Sequence, residues 1–201
     1  TGWSADIKYE QKLVEDMINS RIASARQKIM ISLSTPISSK KVCDVEPTWR
    51  EQRAAYLKAY FFKPKLPNLY YSIGGFGSND ENERMCLTAI KVNSKYQTYV
   101  NEFLIEPQEW EEVWSNSDYV GKPGSLWRAI PPNESFICVG NVATKGHEKP
   151  NLPRYRCVHH KFLKKIKAST VVWSDDGMET DEDDQVTVFK LKTSGSFVSV
   201  E

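Results

Sequence analysis

The phrase Val113-Trp114-Ser115 returns as Val172-Trp173-Ser174 and, with looser chemistry, as Tyr70-Tyr71-Ser72. A phrase used three times marks one supersecondary unit used three times. A unit of short strands cannot bury its own apolar side, so three of them must share a core. The echo extends upstream. Tyr60-Phe61-Phe62-Lys63-Pro64 stands five residues before Tyr70, and Phe103-Leu104-Ile105-Glu106-Pro107 stands five residues before Val113. Phe162-Leu163 precedes Val172 at the same distance, with Ile166 in place of the proline. Downstream, each Ser is followed by a polar loop and an apolar strand: Met85 to Ile90, Ser125 to Ile130 and Val186 to Leu191. Turn residues after the Ser include Gly74-Gly75-Phe76-Gly77, Gly121-Lys122-Pro123-Gly124 and Asp175-Asp176-Gly177.

These spacings predict a mainly β fold. Three short-stranded repeats form a pseudo-threefold β-prism, with an N-terminal helical segment packed against it. Trp114, Trp173 and Tyr71 are expected to point toward the pseudo-threefold axis as core. The helix covers residues 7 to 28, where Ile7, Val14, Ile18, Ile22 and Ala25 follow helical spacing. A strand from Ile29 to Leu33 and a Ser/Lys/Pro-rich connector over 34–47 come next. Thr48 then caps a short helix from Trp49 to Lys58, with Glu51 as its capping-box partner. The domain reading is therefore 1–56, helical segment and connector, and 57–201, the β-prism-like repeat domain.

Length and charge narrow the function. The chain has 201 residues and a net charge of +1, which fits one domain and argues against whole-protein attraction to nucleic acid. No run of about 20 apolar residues is present, so no transmembrane helix is expected. The chain opens on Thr1 and shows no signal peptide, which fits a processed chain or a piece of a larger one. Four cysteines in no C-x-x-C spacing exclude a zinc knuckle. Cys138 and Cys157 fall in strands that can be neighbours, which allows a disulfide. The low cysteine density favours buried free thiols and a reducing compartment instead.

Catalytic signatures are missing. The histidines are His147, His159 and His160, and the chain has no G-x-S-x-G, H-E-x-x-H or P-loop. Gly74 to Gly77 lacks the Lys-Ser/Thr that a phosphate cradle requires. A non-enzymatic protein without an organic cofactor is the expectation. Charge clusters are the better leads. Lys145, Lys149, Arg154, Arg156, Lys161, Lys164 and Lys165 crowd a short span and can meet an anionic membrane or an acidic partner. An edge strand guarded by lysines is the bland alternative. The acidic run with Asp175, Asp176 and Asp181 offers hard oxygen ligands for calcium, although its spacing matches no EF-hand.

One stretch carries a resemblance. Trp127-Arg128-Ala129-Ile130-Pro131-Pro132, Phe136 to Ala143, Lys149-Pro150, Arg154 to Val158 and Trp173-Ser174-Asp175-Asp176-Gly177 resemble the vacuolar protein sorting-associated protein sixty-two family. Asn141 stands where that pattern has Asp, and Met178-Glu179-Thr180 where small residues follow the Gly. Similar repeats occur in adaptor-binding regions of bridge-like lipid-transfer proteins. The resemblance implies a recognition module in vacuolar or endosomal membrane traffic, cytoplasmic and peripheral to those membranes, binding anionic lipids or an adaptor protein. Two other readings remain open. One is a secreted, C-terminal membrane-targeting domain of a pore-forming protein, which a Cys138–Cys157 disulfide would favour. The other is a carbohydrate-binding prism with Gly74 to Asn79 as its loop.

Overall fold

A computed structural model describes residues 36–51, 58–116, 122–165, 170–174 and 186–200. The expected helix over 7–28 and strand over 29–33 lie outside the described residues, as do Asp175, Asp176 and Asp181. Residues 37–51, read above as connector and short helix, are instead two strands: β1 (Ile37–Val42) and β2 (Val45–Glu51). The apolar residues Ile37, Val42 and Trp49 reach the core from extended backbone, and pairing with later strands overrides the local capping signal at Thr48.

The strands that follow are β3 (Ala59–Pro64), β4 (Tyr71–Ser72), β5 (Phe76–Ser78), β6 (Leu87–Val92), β7 (Leu104–Ile105), β8 (Glu109–Ser115) and β9 (Gly124–Ile130). After them come β10 (Phe136–Ile137), β11 (Val142–Lys145), β12 (Cys157–His159), β13 (Thr170–Ser174), β14 (Thr187–Lys190) and β15 (Phe197–Val200). One short helix, α1 (Val100–Phe103), follows a 3-10 turn over Ser94–Tyr99. Among the described residues the strands form five three-stranded antiparallel sheets. The fold is mainly β.

Three of the sheets share one order in sequence: β2-β3-β5, β8-β9-β11 and β13-β14-β15. Each has a bulge in its first strand, at Thr48, Val113 and Val172, immediately before a tryptophan. An extra residue in one strand bends it and re-aims the next side chain. Here it turns Trp49, Trp114 and Trp173 inward onto Phe61, Leu126 and Val188 of the central strands. Ring centroids of Trp49 and Trp114 lie 5.6 Å apart, those of Trp114 and Trp173 5.1 Å. With Phe61, Leu126 and Phe197 they form one buried cluster. The expectation for Tyr71 is corrected. It is only half-buried and packs in a different cluster, around Ile73, Ile90 and Val139, because its strand β4 belongs to the sheet β1-β6-β4. Trp49 occupies the place assigned to it. The upstream strands of the echo also differ: Phe162 ends a 3-10 turn, and Leu104–Ile105 pairs with β12.

The last strands of these sheets meet in a closed ring of backbone hydrogen bonds. Gly75 N donates to Asn141 O (2.8 Å), Asn141 N to Phe197 O (2.8 Å) and Phe197 N to Gly75 O (3.1 Å). Just before each corner stand Gly74, Gly140 and Ser196. A Cβ on Gly140 would lie 2.6 Å from Ser196 Cβ, and one on Gly74 would lie 2.7 Å from Gly140 Cα. Only one of the three positions has room for a side chain. The expected surface loop from Gly74 to Asn79 is therefore corrected: Gly74 to Ser78 is buried, and Phe76–Ser78 is a strand.

Both cysteine pairs are disulfides, Cys43–Cys86 and Cys138–Cys157, which overturns the free-thiol expectation. Register explains the pairing. Val42 faces Leu87 at the end of one ladder, and Ile137 faces Val158 at the end of another. In each case the next pair outward is the two cysteines, with Cα atoms 4.0 Å apart.

Candidate functional site

The pairing of β7 with β12 sets Leu104 opposite Val158 and so brings α1 against the 3-10 turn at His160–Phe162. Aromatic rings from both segments then pack edge to face. Tyr96 to Phe103 spans 6.2 Å between centroids, and Phe103 to Phe162 spans 5.6 Å. His159 continues the ladder to Phe136 at 5.3 Å. Tyr99 is 52% exposed. Lys95 lies over the Tyr96 ring at 5.7 Å, and Lys161, Lys164 and Lys165 are exposed beside Phe162 and Leu163. A hollow of about 650 Å³ opens here, lined by Glu102, Phe103, Glu134, Phe136, His159, Lys161 and Phe162 among others. This end of the molecule joins amphipathic rings to ammonium groups on flexible stems, a combination suited to the boundary between water and an anionic bilayer.

His159 has a defined role in shaping this end. Its Nδ1 accepts from the Lys161 amide (3.2 Å) and so fixes the turn. Partial burial, with the neighbouring His160 and Lys161 charges, holds its pKa below the ordinary imidazole value.

The basic residues picked from sequence do not converge on one surface. Lys149 is exposed and pairs with Glu109 (2.6 Å), and its ammonium together with the Trp110 amide holds that carboxyl below its usual range. Arg156 is largely covered. It binds Glu106 (2.8 Å) and lies 4.6 Å over the Tyr71 ring, so its work is to clamp two segments. Arg154 is exposed, and its guanidinium donates to the carbonyls of Leu66 (2.8 Å) and Pro67 (3.0 Å). Lys145 and Arg154 line a hollow of about 570 Å³ that shares no lining residue with the aromatic end. Lys161 lies within the 3-10 turn His160–Phe162, and Lys164 and Lys165 follow it rather than edging a strand.

The calcium candidates Asp175, Asp176 and Asp181 lie outside the described residues. Among the described residues no three His, Cys, Asp or Glu side chains cluster as a metal site. The acidic stretch at 80–83 is internally satisfied: Glu83 accepts from Ser78 Oγ (2.6 Å) and pairs with Lys190, while Asp80 accepts from the Asn82 amide (2.9 Å). His147 Nδ1 sits 3.1 Å from Ser125 Oγ, the spacing of a nucleophile and its base. Ser125 is fully buried, however, and no substrate can reach its hydroxyl. Sequence reading missed Tyr96, Tyr99 and Phe103. Their signal was a tyrosine pair at i and i+3 beside Lys95, which means little until a fold sets it against Phe162.

The described residues thus define a mainly β module of small antiparallel sheets with one aromatic and basic end. The chain belongs to the vacuolar protein sorting-associated protein 62 family, whose model matches residues 14–199. Its fold is similar to that of GNIP1Aa from Chromobacterium piscinae, a crystal structure, with a TM-score of 0.67 at 22% identity over 81% of this chain and 32% of that one. The chain spans about a third of the length of that solved chain. No curated protein matches the sequence. Among the described residues no helix is long and apolar enough to cross a membrane.

Proposed function

We propose that this chain is a non-enzymatic recognition module of vacuolar or endosomal membrane traffic, and that its aromatic and basic end docks on an anionic membrane surface. The observation that carries this reading is the exposed set Lys161, Lys164 and Lys165 beside the Tyr96–Phe103–Phe162 ladder and exposed Tyr99. Each lysine near an anionic bilayer contributes about 1 kcal/mol, and tyrosine rings settle at head-group depth. Family membership supports a role near membranes. The scaffold we infer is a pseudo-threefold β-prism. It is supported by three sheets of the same order, three tryptophans after three bulges, and the closed ring at Gly75, Asn141 and Phe197.

The test is flotation with liposomes carrying phosphatidylserine or phosphoinositides, with calcium or a chelator. Salt-sensitive binding by the wild type is expected, and the Lys161→Glu, Lys164→Glu, Lys165→Glu triple variant is expected to lose at least tenfold in partitioning. Binding that survives the triple variant would sink this assignment. Wild-type chain that floats with no vesicle points to an adaptor protein as the partner.

A specific observation favours a second reading, a membrane-targeting domain within a larger secreted protein. Two disulfides suit an oxidising compartment, and the fold covers only about a third of GNIP1Aa. Alkylation and mass spectrometry of the protein taken from its native source separate the two: intact disulfides support the secreted reading, and four alkylated thiols support the cytoplasmic one.

A further inference from the structure

We propose that a groove along β2 binds a compact phosphorylated polyol, the chemistry that a phosphoinositide head group shares with a free inositol phosphate. The inference rests on the reading of the chain as a module for anionic surfaces, and gives it a site that selects one kind of head group.

Shape comes first. The hollow holding Lys145 and Arg154 adjoins a second of about 660 Å³; the two share Pro47, Thr48, Phe62 and Lys145 and so form one groove. Each volume suits a small ligand. The groove is not a slot for a peptide strand. Within its walls β2 and β11 approach to within 8 Å between Cα atoms, whereas an inserted strand needs about 9.5 Å.

Charge selects the ligand class. Five cations line the groove, Arg50, Lys63, Lys122, Lys145 and Arg154, against the two carboxylates of Glu46 and Glu81. Both carboxylates are spent, Glu46 on Lys63 (3.0 Å) and Glu81 on Arg50 (4.0 Å). Arg154 uses N–H groups on carbonyls but keeps its charge. No ion pair among the described residues uses Lys122 or Lys145. A multiply charged phosphate ester completes this balance, and Ser72, Asn151 and the walls of Phe62 and Tyr155 suit its hydroxyl-bearing ring.

Thr48 marks the place. It is the bulge residue of β2, and the corresponding bulges of β8 and β13 hold Val113 and Val172, both buried. Two copies thus carry an apolar side chain where the third carries a hydroxyl. That hydroxyl is buried without a hydrogen-bond partner at the junction of the two hollows. Thr48 itself is half-buried and lines both hollows.

The experiment titrates the chain with inositol trisphosphate and with inorganic phosphate by calorimetry. It also floats the chain with phosphatidylserine vesicles and with phosphatidylinositol bisphosphate vesicles of equal charge. Saturable binding of inositol trisphosphate, tighter than of inorganic phosphate, is expected. Lys145→Glu should weaken it by about tenfold, and Thr48→Val by a few fold. Valine already fills the two corresponding bulges, so Thr48→Val keeps the fold. Preference for the phosphoinositide vesicles assigns the site to a membrane; binding of the free ester alone assigns it to a soluble ligand, and either supports the groove. No saturable binding, or equal affinity in wild type and both variants, overturns it. Failure of the wild type to float with either kind of vesicle overturns the broader membrane reading instead, while the soluble arm still reports on the groove.

Discussion

Gly140, a residue of the resemblance motif, has no room for a side chain. Its Cβ position is already filled by Ser196, and the Tyr155 hydroxyl donates to its carbonyl (2.8 Å). Gly140→Ala is expected to cost about 1–3 kcal/mol in urea denaturation, the range for overpacking. Ser196→Gly in the same chain should restore part of the loss, and additive losses would show that the two do not compete for space. The neighbouring Asn141, where the family pattern has Asp, donates from its amide nitrogen to buried Ser199 Oγ (2.6 Å). The recognisable motif residues are thus scaffold, which is why they betray the family and not the ligand. Acid sensitivity is likewise set by single residues. His159 is held below its ordinary pKa, so its contribution is present above about 6.5 and is lost as pH falls through the lowered folded value. Burial pushes the Glu83 carboxyl up, but bonds from Lys190 and Ser78 prevail and hold it below the usual range. Its contribution is present above about 4.3 and fades as pH falls through the folded value. Melting temperature should therefore drop in two stages between pH 8 and 3, and His159→Gln should remove the upper one.

At the level of elements, the disulfides are extensions of ladders. Each caps an antiparallel pair one register step beyond its last residue, which ties cysteine chemistry to strand pairing. The separations of 43 and 19 residues correspond to loop-closure contributions of about 4 and 3 kcal/mol in the chain-entropy account. Replacing Cys43 and Cys86 together by Ala should accordingly lower stability more than replacing Cys138 and Cys157, as read from denaturation midpoints. The reverse order would mean that packing around the buried pair outweighs chain entropy. Sequence reading allowed Cys138–Cys157, though it favoured free thiols, and missed Cys43–Cys86 for a definite reason. Cys43 reaches Cys86 only if Ile37–Val42 is a strand, and its Ser-Ser-Lys-Lys centre read as a linker. The bulge before Trp49 was hidden in the same way. Two copies repeat the letters Val-Trp-Ser, but Thr48-Trp49-Arg50 keeps only the tryptophan, so Tyr70-Tyr71-Ser72 looked closer. What the copies share is backbone geometry, which need not leave the same letters behind.

Taken as a whole, the molecule distributes its charge differently from its sequence. Residues 145 to 165 form one basic run on paper, yet turns send Lys145 to a groove, Arg156 over the Tyr71 ring and Lys161 to the aromatic end. Proximity along a chain with several tight turns says little about proximity in space, whereas the mainly β class followed from many short apolar strands at once. The shared tryptophan cluster makes a prediction at this scale. Trp114→Ala should cost about 3–5 kcal/mol and lower one common transition, followed by fluorescence and by circular dichroism alike. Separate transitions would mean that the sheets melt independently. The ring at Gly75, Asn141 and Phe197 also bears on time. Its corners lie tens of residues apart along the chain, so none of its bonds can form by local search, and each closure is paid for in loop entropy before any sheet supports it. Refolding with the disulfides reduced should then take milliseconds to seconds, the range of β proteins rich in distant contacts. The joint that locks the three sheets together is also what makes the chain wait to become itself.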